Sequence, residues 1–236
     1  MQTDTFQTPN GDSVTAVTAA EMRAVDRVAV GEFGLGLLQM MENAGRNLAW
    51  HVRDLGAGPV TVLAGSGGNG GGGLCCARHL ANRGVRVSVV LDRDPEDLDG
   101  AARTQYETLR AMGVPVESGP DTLDDRPGTV VDALVGYGLE GALRGTAASL
   151  ADAIGDAPTV SLDVPSGLDA TTGDRSGPVV RPDRVVTLAL PKTGLAGLDA
   201  DLFLADIAIP AGVYDALDIP YASPFADEYW IELDAL

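Results

Sequence analysis

Two kinds of hydrophobic pattern alternate along the chain. Short continuous runs rich in Val and Leu, namely "PVTVLAG", "VRVSVVL", "GTVVDALVG", "PTVSLDVP", "RVVTLAL" and "LFLADIAIP", read as strands covered on both faces. Between them lie segments with apolar residues at helical spacing: "GLCCARHLANRG" closed by Gly84, "DLDGAARTQYETLRAMG" closed by Gly113, and "TAASLADAIGD". Two more helices precede the first strand. "TAAEMRAVDRVAV" opens on Thr18 with Glu21 three residues later, the reciprocal capping pattern, and "LLQMMENAGRNLAWHV" keeps the helical period. This alternation predicts an α/β fold with a mostly parallel sheet between two helical layers. No repeat, low-complexity tract or long linker interrupts it, so residues 1–236 read as a single domain. The first ten residues and the stretch beyond Asp215 carry no clear pattern.

Charge narrows the partners. Acidic side chains outnumber basic ones by 34 to 16, a formal charge of −18, which argues against general affinity for nucleic acid or an anionic membrane. So acidic a surface fits a salt-rich cell interior, where screening relieves self-repulsion, and the source reads as halophilic. No apolar run reaches the length of a transmembrane helix, and "MQTDTFQTPN" lacks the basic and apolar regions of a signal peptide. Cys75 and Cys76, adjacent on a predicted helix, cannot form an ordinary disulfide, so cytoplasmic residence is the consistent reading. One basic residue stands apart: fifteen of the sixteen are arginine, and the single lysine is Lys192. Lysine differs from arginine where a compact charge or a movable pKa is needed.

The stretch "VTVLAGSGGNGGGGLCCARHL", Val60 to Leu80, reads as strand, loop and helix, and seven of the nine residues from Gly65 to Gly73 are glycine. Glycine gives up the most conformational freedom on folding, so such a run implies a backbone that approaches something closely. In sheets of this kind ligands bind at the carboxyl ends of the strands. "GSGGNG" satisfies G-x-G-x-x-G, and Asp92 ends the next strand, where a ribose-binding acid would lie. A nicotinamide-dependent dehydrogenase is therefore one reading, although a glycine-saturated loop satisfies almost any such pattern. A phosphate-binding P-loop is excluded, because no Lys-Ser or Lys-Thr follows the glycines. Asn69, the one amide side chain in the run, can coordinate a hard cation or hold a polar ligand group.

Three more segments at strand ends carry a resemblance: "VVDALVGYGLEGALRG", "SLDVPSGLDATTGD" and "LALPKTGL". With the glycine run and "MRAVDRVAVGEFGLGLLQMMENAGRNLA" they resemble, in order and spacing, the NAD(P)H-hydrate epimerase family, the YjeF N-terminal domain, from about Thr18 to Tyr214. The resemblance implies a Rossmann-like three-layer α/β/α sandwich. It also implies epimerisation of the R and S forms of hydrated NADH and NADPH at nicotinamide C6, which feeds a separate dehydratase. The chain departs from the family's usual G-x-G-N-N-G-G-D-G by carrying Gly68 for the first Asn and Gly72 for the Asp, and Glu140 is the nearby acid considered as a replacement.

By the same resemblance Asp163 and Lys192 are the catalytic pair. A carboxylate and an ammonium at neighbouring strand ends suit proton transfer to and from one departing oxygen. Asn69, Asp132 and Ser166 would supply oxygen ligands to a potassium ion. Gly68, Asn69, Gly70, Gly71 and Gly72, with Gly136, Tyr137, Gly138, Leu139, Glu140, Gly141, Ala142 and Asp163, would bind the dinucleotide. No cysteine or histidine cluster is expected to hold a transition metal. His51 and His79 read as solvated or packing residues, and Met22, Met40 and Met41 as core or subunit-contact residues. A homodimer is the family expectation, and a noncatalytic binding module on the same fold is the alternative function.

Overall fold

The computed structural model describes residues 6–56, 58–120 and 128–235. Two helices lead in: α1, Ala19–Gly31, and α2, Leu37–Leu55. The pattern at the start of α1 is realised as expected, with the Thr18 side chain accepting from the Glu21 N–H and the Glu21 carboxylate accepting from the Thr18 N–H. Each contact satisfies a helix-end donor that would otherwise be orphaned.

The strands and helices then follow as β3 Val60–Ala64, α3 Gly68–Ala81, β4 Val87–Leu91, α4 Gly100–Ala111, β5 Val116–Ser118, β6 Thr129–Ala133, α5 Gly145–Ala153, β7 Thr159–Leu162, β8 Arg184–Leu188, β9 Asp201–Ala205 and α6 Ala211–Asp215. Their parallel order is β5-β4-β3-β6-β7-β8-β9. The chain winds outward from β3 in one direction, returns to β6 beside it, and winds outward in the other. The crevice between the ends of β3 and β6 is thus the topological switch point, where doubly wound sheets bind ligands.

Alternate strand residues feed opposite layers, as the pleat requires. Val62, Val89, Val131 and Val160 join Leu48 of α2, Leu74 of α3 and Leu109 of α4 in one core. Leu63, Val90 and Val130 join Leu150 of α5 in another. This is the three-layer α/β/α arrangement with a mostly parallel sheet.

Three strands extend the sheet beyond expectation. β10, Trp230–Ala235, pairs antiparallel with β9, and two-residue strands β1, Phe6–Gln7, and β2, Ser13–Val14, continue it. Two residues carry no readable period, so β1 and β2 form because β10 offers a partner edge. The glycine run also differs from the loop expected of it: α3 begins at Gly68, so its first two turns are built largely of glycine. Among the described residues no helix is long and apolar enough to cross a membrane.

Candidate active site

Close packing accounts for most of the glycines. A Cβ on Gly70 would lie 1.8 Å from the Gly65 carbonyl oxygen, and one on Gly73 would lie 2.5 Å from the Ala133 Cβ. Side chains there would push α3 off β3 and β6. Gly67 and Gly68 meet nothing, because they open on a cavity of about 440 Å³ at the switch point. The uncapped N-terminus of α3, with Gly67 as its N-cap, borders that cavity.

The ends of β7 and β8 supply the cavity floor in matching ways. Asp163 has φ +68° and bridges a tight turn in which the Val164 N–H donates to the Leu162 carbonyl at 2.9 Å. Ala189, with φ +64°, does the same between Leu190 and Leu188 at 2.7 Å. Such γ-turns are rare and strained, and at β7 the turn leaves the Asp163 carboxylate in the cavity wall.

Lys192 is wholly buried, and its Nζ donates to Asp163 Oδ1 and, at 2.8 Å, to the Leu188 carbonyl. An ammonium carries three protons, so one remains for the cavity that Lys192 lines. Its backbone is pinned from the far end of the sequence, since Val17 N–H donates to the Pro191 carbonyl and Thr193 N–H to the Val17 carbonyl. Asp163 also accepts from the Tyr137 N–H at 3.1 Å, the Leu188 N–H at 3.3 Å and the Thr187 hydroxyl at 3.4 Å.

One strand away, Asp132 is fully buried in β6 with no cationic partner among the described residues. Its carboxylate accepts from Ser161 Oγ at 2.7 Å, Ser166 N–H at 2.8 Å, Ser166 Oγ at 2.5 Å and Leu134 N–H at 3.3 Å. Burial pushes its pKa up, and those hydrogen bonds pull against it. With the Asn69 amide oriented so that its oxygen faces the Gly136 N–H and its nitrogen the Leu162 carbonyl, each contact is 3.2 Å.

The expected dinucleotide-binding residues divide by place. Gly68, Asn69 and Gly72 line the cavity, as do Gly136, Tyr137, Gly138 and Asp163. Gly70 and Gly71 face protein instead: a Cβ on Gly71 would meet Met41 at 2.6 Å. Leu139, Glu140, Gly141 and Ala142 lie outside the lining. Glu140 therefore does not replace the acid absent at Gly72; its side chain is 86% exposed and pairs with Arg23 at 3.5 Å.

Asp26, which no sequence motif singles out, lines the cavity from α1 and accepts a hydrogen bond from the Tyr137 hydroxyl. Its signal was a lone acid four residues after Met22, on the helix face that also buries Val25 and Ala29. Met22, Met40 and Met41 are buried beside it and line the same cavity.

A second cluster was also unforeseen. Glu42, Cys75 and His79 bring their ligand-type atoms within 4.8 Å of one another. Arg78 already supplies the positive charge there, bonded to Glu42 and 3.3 Å from Cys75 Sγ, and burial pushes the Cys75 thiol up to about 12. It is a polar tie between α2 and α3. His51 is likewise a packing residue, fully buried against Phe203 and Trp230, and burial drives its pKa down to about 3.

Residues 37–194 match the family described as YjeF-related protein N-terminus. An NAD(P)H-hydrate epimerase of Dehalogenimonas lykanthroporepellens is 43% identical, covering 98% of this chain and 97% of that protein. A bifunctional NAD(P)H-hydrate repair enzyme of Salinibacter ruber is 41% identical over 76% of this chain, but the match takes in only 37% of that longer protein. The crystal structure of yeast ynu0 superposes with a TM-score of 0.77 at 26% identity, covering 94% of this chain and 99% of that one.

Proposed function

This chain belongs to the YjeF-related N-terminal family, and we propose that it interconverts the R and S forms of hydrated NADH and NADPH. The protein is an isomerase of nicotinamide repair. The carrying observation is the Asp163–Lys192 pair, buried at adjacent strand ends on the floor of a cavity at the switch point.

The substrate carries a hydroxyl on C6, next to the ring nitrogen. Protonation of that hydroxyl lets the nitrogen's electron pair expel water, leaving an iminium; water then returns to the other face. The pair suits this work, because Lys192 can donate its free proton and Asp163, held by Tyr137, Thr187 and Leu188, keeps the ammonium in place. The dinucleotide lies over the N-terminus of α3, beside the 136–138 turn, where the first-turn N–H groups of α3 and the helix dipole favour its phosphates.

Potassium completes the site in our reading. Asn69, Asp132 and Ser166 present oxygen donors, which suit a hard cation, and Asp132 is a buried carboxylate with no protein cation beside it among the described residues. When bound, the ion would neutralise Asp132 and fix the turns that border the substrate. The product epimer passes to a dehydratase, a pairing supported by the bifunctional relatives. We further propose one domain, cytoplasmic residence consistent with the free Cys75 and Cys76, and a homodimer.

The test is chromatographic separation of the two epimers, starting from one purified epimer of hydrated NADH in molar potassium chloride. Equilibration well above the spontaneous rate supports the reading. Nucleotide binding without equilibration would favour the noncatalytic binding module.

A further inference from the structure

Epimerisation removes a hydroxyl from one face of a flat ring and returns water to the other. One acid–base pair serves one face unless the ring turns over in the site. The cavity holds a second carboxylate that the Asp163–Lys192 pair leaves unused. Tyr137 links the two: its N–H donates to Asp163, its ring lies 5.7 Å from Lys192 Nζ, and its hydroxyl donates to Asp26. Asp163 and Asp26 are therefore held the length of one tyrosine apart, the first from the sheet and the second from helix α1.

We propose that Asp26 is a second catalytic residue of the epimerisation, handling the proton of water on the ring face turned away from Asp163 and Lys192, with Tyr137 as its positioning residue. The inference rests on the epimerase reading. In one direction the Asp26 carboxyl gives its proton to the C6 hydroxyl and the C–O bond breaks, while the ring nitrogen's electron pair forms the C=N bond. Water then attacks C6 from the opposite face; the C=N pair returns to nitrogen, and the Asp163–Lys192 pair takes the water's proton. In the reverse reaction the pair gives its proton to the hydroxyl on its own face, water leaves, and Asp26 takes a proton from the water that attacks the other face; no oxidant or reductant is involved.

The surroundings suit an acid. Burial raises the Asp26 pKa most, the Tyr137 hydrogen bond and Lys192 lower it, and Asp163 raises it again. Arg23 of the same helix, Asp92 and Arg93 line the same cavity, and Tyr214 of α6 feels the Asp26 charge. A carboxyl held above its ordinary value keeps its proton closer to neutral pH, as a general acid must.

Epimerisation rates against pH, for wild type, Asp26→Asn and Tyr137→Phe, test the proposal, with nucleotide affinity measured beside them. Asp26→Asn should lower kcat at least ~100-fold while binding nucleotide as before. Tyr137→Phe removes a hydrogen bond that favours the ionised carboxylate, so the alkaline limb of kcat should move to higher pH. Wild-type kcat in Asp26→Asn, or an unmoved limb in Tyr137→Phe, overturns the role of Asp26 alone. A wild-type protein that fails to beat the spontaneous rate overturns the epimerase reading as well.

Discussion

Asp132 and Asp163 sit at the carboxyl ends of neighbouring parallel strands, both excluded from solvent, yet their charges are met in different ways. Asp163 has a lysine from its own chain and hydrogen bonds from three further residues. Asp132 has two serine hydroxyls and two backbone N–H groups and, among the described residues, no side-chain cation. A buried ion needs both hydrogen bonds and a counter-charge. The Asp163 site is therefore complete within the chain, while the Asp132 site is the one that the proposed potassium ion would complete.

Removing the internal cation is the largest perturbation. Lys192→Met should leave Asp163 buried and unpaired, lowering stability by about 3–5 kcal/mol and epimerisation to the spontaneous rate. Denaturant melts should read that loss directly.

Asp132→Asn attacks the other site. Both carboxylate oxygens accept a backbone N–H, from Ser166 and Leu134, so the amide nitrogen must face a donor whichever way it turns. A loss of about 2–3 kcal/mol is expected. Thermal melts in potassium chloride against choline chloride should show a potassium-dependent rise in Tm for wild type and none for this variant. Ser166→Ala removes one donor and one oxygen, and should cost about 1–2 kcal/mol with a weakened potassium response.

Gly72→Asp is the mildest. It returns the family's usual acid to a position where a Cβ meets only the tip of Leu162, at 2.7 Å, so repacking should cost about 1 kcal/mol by melt. Epimerisation by this variant should stay within a few-fold of wild type, since Asp163 and Lys192 already form a complete pair.

Much of this was legible along the chain. The parallel strands, the helices and the Thr18 cap follow from local periodicity and end chemistry. Lys192 stood out because every other basic residue is arginine. The edge strands β1 and β2 were not legible, because two residues have no period and pair only once β10 is in place. Asp26 escaped notice because helical spacing shows which face a residue shares and not what that face meets.

The sequence by itself determined the elements, the doubly wound topology they permit, and the residue types that carry the chemistry. Periodicity and capping act over a few residues, so a chain read in order contains them. Tertiary structure decided the rest: that the glycines begin a helix pressed against β3 and β6, that Lys192 reaches Asp163 while Asp132 has no such partner among the described residues, and that Tyr137 joins Asp163 to Asp26. Those relations join residues from about 26 to more than 100 positions apart, and only the packing of whole layers brings them together.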